Sequence, residues 1–364
     1  MTVTRLPGLV DVHVHMRVPG GEHKEDFASG TAAALAGGVT QVLAMPNTSP
    51  PIVSEEVFEL AEARARETAR CDYALYLGAT DHNAPLDPWL QDRAAGLKIY
   101  VNDTFGPLQV DSLLTMQDHF RSWRGPGPIV VHAEELFVPA CIALAAQYDK
   151  HVHFAHVSRG AEIVAIRAAK ERGLKVSCEV TPHHLWLDEK DLPRLGPYGD
   201  MRPRLATEGD RKALWDALRA GVVDCIATDH APHLREEKES EQPPPGVPGL
   251  ETTLPLLMNA VQATRLTLEQ VVALTSTNPR RLFHLPEQPQ TYVEVETGGL
   301  WTLPECGWHT RPDWSPFAGE VVGARILRTV VRDTTAYEDG VVLAEPGSGR
   351  NIRIPRLGSR NNEG

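Results

Sequence analysis

Apolar and polar positions follow two alternating rhythms from residue 9 to about residue 283. Short apolar runs bounded by turn residues, at 9–16, 39–46, 72–79, 97–102, 128–134, 151–158, 174–181 and 222–229, have the length and composition of strands. Between them, apolar residues recur every three to four positions, the period of a helix, over Asp26–Ala36, Ser54–Ala69, Asp111–Trp123, Leu136–Tyr148, Ala161–Arg172 and Asp210–Ala220. Gly37-Gly38 stops the first of these, and Ser54 before Glu55-Glu56 is an N-cap for the second. Leu250–Thr264 and Leu268–Thr275 make a helical close. Strands alternating with helices predict parallel pairing with the helices outside, an α/β fold. That alternation suits both an eight-stranded barrel and an open doubly wound sheet.

The polar ends of the runs decide between the two. His13 and His15 are two apart on the first strand, so both imidazoles point to one side. Lys98, His132, His156 and Asp229 end the fourth, fifth, sixth and eighth runs. An open sheet would spread these groups over a wide front, whereas a barrel brings them together at the C-terminal ends of its strands. The expected fold is a TIM-like (β/α)8 barrel over residues 1–285, with 286–364 as a C-terminal extension of the same domain carrying strand-like pieces at 320–332 and 335–343. Glu236–Gly249, charged and then proline-rich, follows the strand-eight ligand and is placed to cover the mouth.

A net charge of −12 excludes a basic nucleic-acid footprint, yet leaves room for a few arginines to hold a small anion. The five cysteines are scattered without metal or disulfide spacing. No apolar stretch approaches a membrane span and the N-terminus lacks a signal-peptide core, so a cytoplasmic protein is expected.

Two adjacent divalent ions need an anion between them, and strand four offers a lysine. An isolated strand-end lysine would extend to solvent. Carbamylated by carbon dioxide, Lys98 becomes an anion able to bridge two metals, and its company of four histidines and Asp229 favours that state.

This constellation resembles the binuclear amidohydrolase superfamily. Its motifs are similar to those of dihydroorotases: His13-Val14-His15-Met16-Arg17 with Pro19-Gly20, Met45-Pro46-Asn47-Thr48, Gly96-Leu97-Lys98, Val131-His132-Ala133-Glu134, Pro182-His183-His184-Leu185, Thr228-Asp229-His230-Ala231-Pro232-His233 and Pro248-Gly249-Leu250-Glu251-Thr252. The match spans nearly the whole chain and most resembles the dihydroorotase domain of the animal multifunctional pyrimidine-synthesis polypeptide. The resemblance implies reversible cyclisation of N-carbamoyl-L-aspartate to L-dihydroorotate. It implies one zinc on His13, His15, Lys98 and Asp229 and a second on Lys98, His132 and His156, the two bridged by carbamylated Lys98. Asp229 is then the proton shuttle. Arg17 and Asn47 would hold the substrate carboxylate, Arg202 and His233 would add contacts, and Thr104 and Phe105 would lie on a loop closing over substrate. A homodimer, and fusion or association with other pyrimidine-synthesis enzymes, are also implied.

Three departures qualify the match. Val18 stands where the family has Glu after the motif arginine, and Ala155 where close animal relatives have Cys, which argues against an additional thiolate-held metal. With about eight residues before strand one, the N-terminus is not expected to join a β-sandwich with the C-terminal extension. His183 and His184, read as strand residues facing opposite ways, are expected to be core or supporting groups. Two rival readings are a hydantoinase-like hydrolase, which needs no carboxylate grip, and a catalytically dead scaffold, which would have lost metal ligands.

Overall fold

The structure, a computed structural model, describes residues 1–102 and 108–353. Eight parallel strands close a barrel: Leu9–Val14, Val39–Ala44, Asp72–Leu75 continued by Leu77–Gly78, Leu97–Tyr100, Ile129–His132, Val152–Phe154, Val176–Val180 and Cys225–Ile226. Parallel ladders join neighbours in chain order. Closure comes from the bridge between Val14 and His230, with the His15 amide donating to the His230 carbonyl at 2.8 Å. The strands are buried along their whole length, as a sheet covered by helices requires.

The helices start where their sequences place a cap. Asp26 accepts from the Ser29 amide at the head of Phe27–Ala36, and Ser54, Ser112 and Thr207 do the same for Glu55–Thr68, Leu113–Ser122 and Glu208–Arg219. Each satisfies an orphan amide of the first turn, and the apolar stripe behind it packs on the barrel.

One expectation is overturned. Thr2–Pro7 pairs antiparallel with Tyr292–Thr302, opening a five-stranded sheet continued by Val321–Val331, Thr334–Glu338 and Val341–Val342. The few residues before barrel strand one are enough, because one six-residue edge strand completes the sheet. The extension does not stand apart: Trp314 Nε1 donates to the His233 carbonyl at 2.8 Å, and Thr310 Oγ1 donates to Glu25, a buried carboxylate that also meets His230. These contacts brace the segment just after Asp229.

Candidate active site

His13, His15, Arg17, Asn47, Tyr100, His132, His156, Arg202 and Asp229 line one cavity at the C-terminal ends of the strands, with Ala231, Pro245 and Gly246. The polar groups sit where each strand gives way to loop. Arg17, His156 and Asp229 have φ of 58°, 33° and 46°, a left-handed conformation that side-chained residues rarely adopt and that concentrates at functional sites.

His15 Nε2 and His13 Nε2 lie 3.0 and 3.3 Å from the same oxygen, Asp229 Oδ1. His132 Nδ1 is 2.8 Å from His156 Nε2. Ligand atoms of His13, His156 and Asp229 all fall within 4.8 Å of one another. Burial drives His15 down to about 4 and lowers His132 and His156, so these imidazoles are neutral and offer lone pairs at pH 7. Burial opposes the charge of Asp229, but His13, His15 and His156 around it outweigh that and hold its carboxyl well below the usual range.

Several buried atoms here have no hydrogen-bond partner among the described residues: Lys98 Nζ, His132 Nε2, His156 Nδ1, Tyr100 Oη and His183 Nε2. His132 Nε2 comes within 3.5 Å of Glu134 Oε1 without hydrogen-bonding geometry. Orphaned polar atoms in a dry site cost about 1–3 kcal/mol each, and native proteins keep them where something else binds. Lys98 is fully buried, and burial pushes its amine down to about 8 against the opposing pull of Glu179 and Asp229. A fully buried amine without a hydrogen-bond partner, its pKa lowered towards neutrality and its nitrogen 4.9 Å from the Tyr100 ring, fits a carbamylated metal bridge.

The supporting groups are equally defined. Asn47 Oδ1 accepts from His15 Nδ1 at 2.7 Å, which turns His15 Nε2 towards Asp229. Glu179, entirely buried on strand seven, meets His13 Nδ1 at 2.5 Å and His153 Nε2 at 3.0 Å, and accepts from the His156 amide at 3.2 Å. Sequence reading passed over both Glu179 and Tyr100. The signal was present: Ser177 and Glu179, like Lys98 and Tyr100, are polar groups two apart within apolar strands.

The remaining candidates fall into four groups. Arg17 lines the cavity and donates through Nε and Nη2 to the Pro232 carbonyl at 3.3 and 3.1 Å, contacts that need nothing from position 18. Arg202 also lines it, tethered to Asp200 Oδ1 at 2.5 Å. His233 does not form the wall. It is enclosed behind Arg17, with Nε2 3.0 Å from Arg17 Nη2 and 3.0 Å from the Pro245 carbonyl. Thr104 and Phe105 lie outside the described residues. His183 and His184 are not on a strand but on the short helix Pro182–Trp186, and both are buried. His184 is satisfied by Thr181 and the Pro203 carbonyl.

Comparison with known proteins places the chain. Residues 4–114 match the family model described as dihydro-orotase-like. Multifunctional protein CAD of Squalus acanthias is 52% identical over 355 residues, which cover 97% of this chain, although the chain spans only 16% of that protein's length. Dihydroorotase of Halobacterium salinarum is 33% identical over 384 residues, covering 96% of this chain and 89% of that protein. Among solved structures, L-hydantoinase (dihydropyrimidinase) from Arthrobacter aurescens superposes with a TM-score of 0.90 at 25% identity, covering 96% of this chain and 88% of that one. With a relative at 33% identity covered over 89% of its length, the chain belongs to the dihydroorotase family.

Proposed function

We propose that this protein interconverts N-carbamoyl-L-aspartate and L-dihydroorotate in pyrimidine biosynthesis, using two zinc ions bridged by carbamylated Lys98. The observation that carries the reading is the coincidence, in one cavity, of unpartnered buried metal-ligand atoms with two arginines. His13, His15, Lys98, His132, His156 and Asp229 would hold the metals. When bound, the zinc pair would polarise the ring amide carbonyl and make water nucleophilic near neutral pH.

The chain's own groups account for the rest. The Asp229 carboxylate takes a proton from the attacking water and delivers it to the ring nitrogen as the C–N bond breaks; in cyclisation the same proton returns. Arg17, backed by His233 and Pro232, presents a guanidinium to the substrate carboxylate. Arg202 supplies a second cation and Asn47 a side-chain amide. Such a grip distinguishes dihydroorotate from hydantoins and dihydropyrimidines, which lack the carboxylate. Loss of metal ligands, the mark of a dead scaffold, is not seen.

Further features support the finer points. All five cysteines are unpaired, which suits the cytoplasm, and among the described residues no helix is long and apolar enough to cross a membrane. Leu113, Leu114, Phe137 and Val164 are exposed on three successive helices, with Leu136 just before the second, and a homodimer that covers such apolar side chains is read directly by sedimentation. Fusion to other pyrimidine-synthesis enzymes agrees with the length of the multifunctional relatives.

The test pairs metal analysis with turnover. The purified chain should carry two zinc ions and hydrolyse dihydroorotate. Arg17→Ala should lose several kcal/mol of transition-state binding on that substrate, roughly 2–5 by analogy with truncated buried charge contacts, and far less on dihydrouracil. Equal losses on both rings would move the assignment to a hydantoinase-like hydrolase.

A further inference from the structure

Lys238 is fully buried although it lies in the charged, proline-rich stretch that follows the strand-eight ligand. Its ammonium has three protons and meets three carbonyl oxygens: Pro244 at 2.9 Å, Asp200 at 3.2 Å and Gly246 at 3.2 Å. The Trp314 ring of the C-terminal extension stands 5.8 Å from the same nitrogen. Burial pushes the amine down to about 8, with Asp200 opposing and Arg202 adding to the effect, so it remains mainly protonated at neutral pH.

Those carbonyls belong to two segments that both reach the cavity. The first, Asp200–Met201–Arg202, carries the cavity arginine, whose Nη1 bonds the Asp200 carboxylate and the Met201 carbonyl. The second carries Pro245 and Gly246, which line the same cavity. A backbone bond ties them: the Gly246 amide donates to the Asp200 carbonyl at 2.9 Å. Gly246 has φ +135°, and a Cβ there would come within 2.5 Å of the Ala231 carbonyl, so the rim runs as close to the strand-eight segment as bare backbone permits. Without a cation the three oxygens would converge in a dry interior with one amide donor between them. A buried ammonium is what makes that convergence stable.

We propose that Lys238 is a positioning residue of the substrate site: it clamps the 200–202 and 244–246 segments together and so fixes Arg202 relative to Arg17 across the cavity. This rests on the dihydroorotase reading for its substrate and not for its geometry. Lys238 touches neither substrate nor metal ligand, so its loss acts on substrate capture more than on the chemical step.

The test uses the full chain with Lys238→Met, which keeps the length of the side chain and removes the charge, and Lys238→Gln, which keeps an amide donor. Lys238→Met should raise KM for dihydroorotate about tenfold, as expected when several hydrogen bonds to a charged donor are lost. Its kcat should fall by less than about threefold on the same reasoning, because the ligand set is untouched, with zinc content unchanged. Lys238→Gln should fall between wild type and Met, and it decides the matter if the Met variant does not fold. Hydrogen exchange of peptides covering 198–202 and 244–249 should be faster in either variant. Wild-type KM, or a loss confined to kcat, overturns the clamp. If the wild-type chain itself fails to turn over dihydroorotate, the functional reading falls while exchange still judges the clamp: unchanged exchange rejects it, and faster exchange upholds it.

Discussion

The barrel mouth and the sheet built from the two ends of the chain treat polar groups in opposite ways. At the mouth they are buried, strained and in part without hydrogen bonds: Lys98, His132 and His156 each leave an atom without a hydrogen-bond partner among the described residues. On the terminal sheet they are half-buried or exposed, and paired. Arg5 meets Glu294 at 2.7 Å, Arg325 meets Glu296 at 2.8 Å, and Arg328 meets Glu338 at 2.7 Å. Exposed pairs of this kind contribute about 0–1 kcal/mol apiece. The contrast separates two uses of charge. The sheet spends its charges on its own surface, while the mouth keeps its groups for something not part of the chain.

The largest effect should come from removing the Lys98 amine, which no protein group hydrogen-bonds. Lys98→Ala should abolish binding of two metals and reduce turnover to background, measured by metal analysis and dihydroorotate hydrolysis on one preparation. A short carboxylic acid filling the vacated space should restore part of the activity by supplying an anion. Lys98→Arg should fail as well, since a guanidinium cannot become one. A Lys98→Ala protein with two zincs and normal turnover would erase the contrast between the two regions.

A smaller effect should follow at Glu179, which is buried like the mouth groups but fully paired like the sheet. Burial works against its charge, yet His13 and His153 together hold the carboxyl low. Glu179→Gln preserves shape and removes the charge that fixes the His13 tautomer. Zinc affinity, read by chelator competition, should fall about 10–100-fold, the usual cost of losing such a support. Unchanged affinity would reduce Glu179 to a space-filling group and leave His13 oriented by its strand alone.

These two residues also mark how far the sequence could be read. Lys98 lies in a recognisable motif within the fourth strand, and the eight strand-like runs all appear as barrel strands, shortened by one to six residues. Local periodicity served well because each strand buries one face in the barrel interior and the other under its neighbouring helices. It failed where a partner is distant. Thr2–Pro7 has an exposed, mixed pattern whose ladder partner lies some 290 positions away, so nothing local marks it as a strand. His183 and His184 were misplaced on a strand because Thr181-Pro182, which caps and opens a helix, was not weighed. Lys238 sits in a run of charges that reads as a solvated face. Only the fold shows three carbonyls closing over it.

The smallest effect belongs to the seam between the two regions. Glu251, in the motif after the proline-rich stretch, accepts from the His309 Nδ1 at 2.9 Å and from the amides of His309 and Thr310. The hydrogen bond to Glu251 raises the His309 pKa above its ordinary value, against the opposing effect of burial. Tyr337 packs its ring against His309, and Arg325 and Asp339, paired with each other, line the same cleft. A group whose pKa is raised on folding stabilises the folded state fully below its unfolded value, near 6.5, and loses that contribution as pH rises through the folded value. The melting temperature of wild type should therefore exceed that of His309→Gln most clearly near pH 6, and the gap should close towards pH 9. Because the pair is partly exposed, the gap should stay under roughly 2 °C, in keeping with less than about 1 kcal/mol for such a pair in a chain of this size. The glutamine can still donate to Glu251, so only the charged part of the contact is removed. A gap that is constant with pH would mean that the seam is held by the two backbone amides and the Tyr337 packing. A gap that widens with pH would reverse the assigned sign and place the proton of His309 elsewhere.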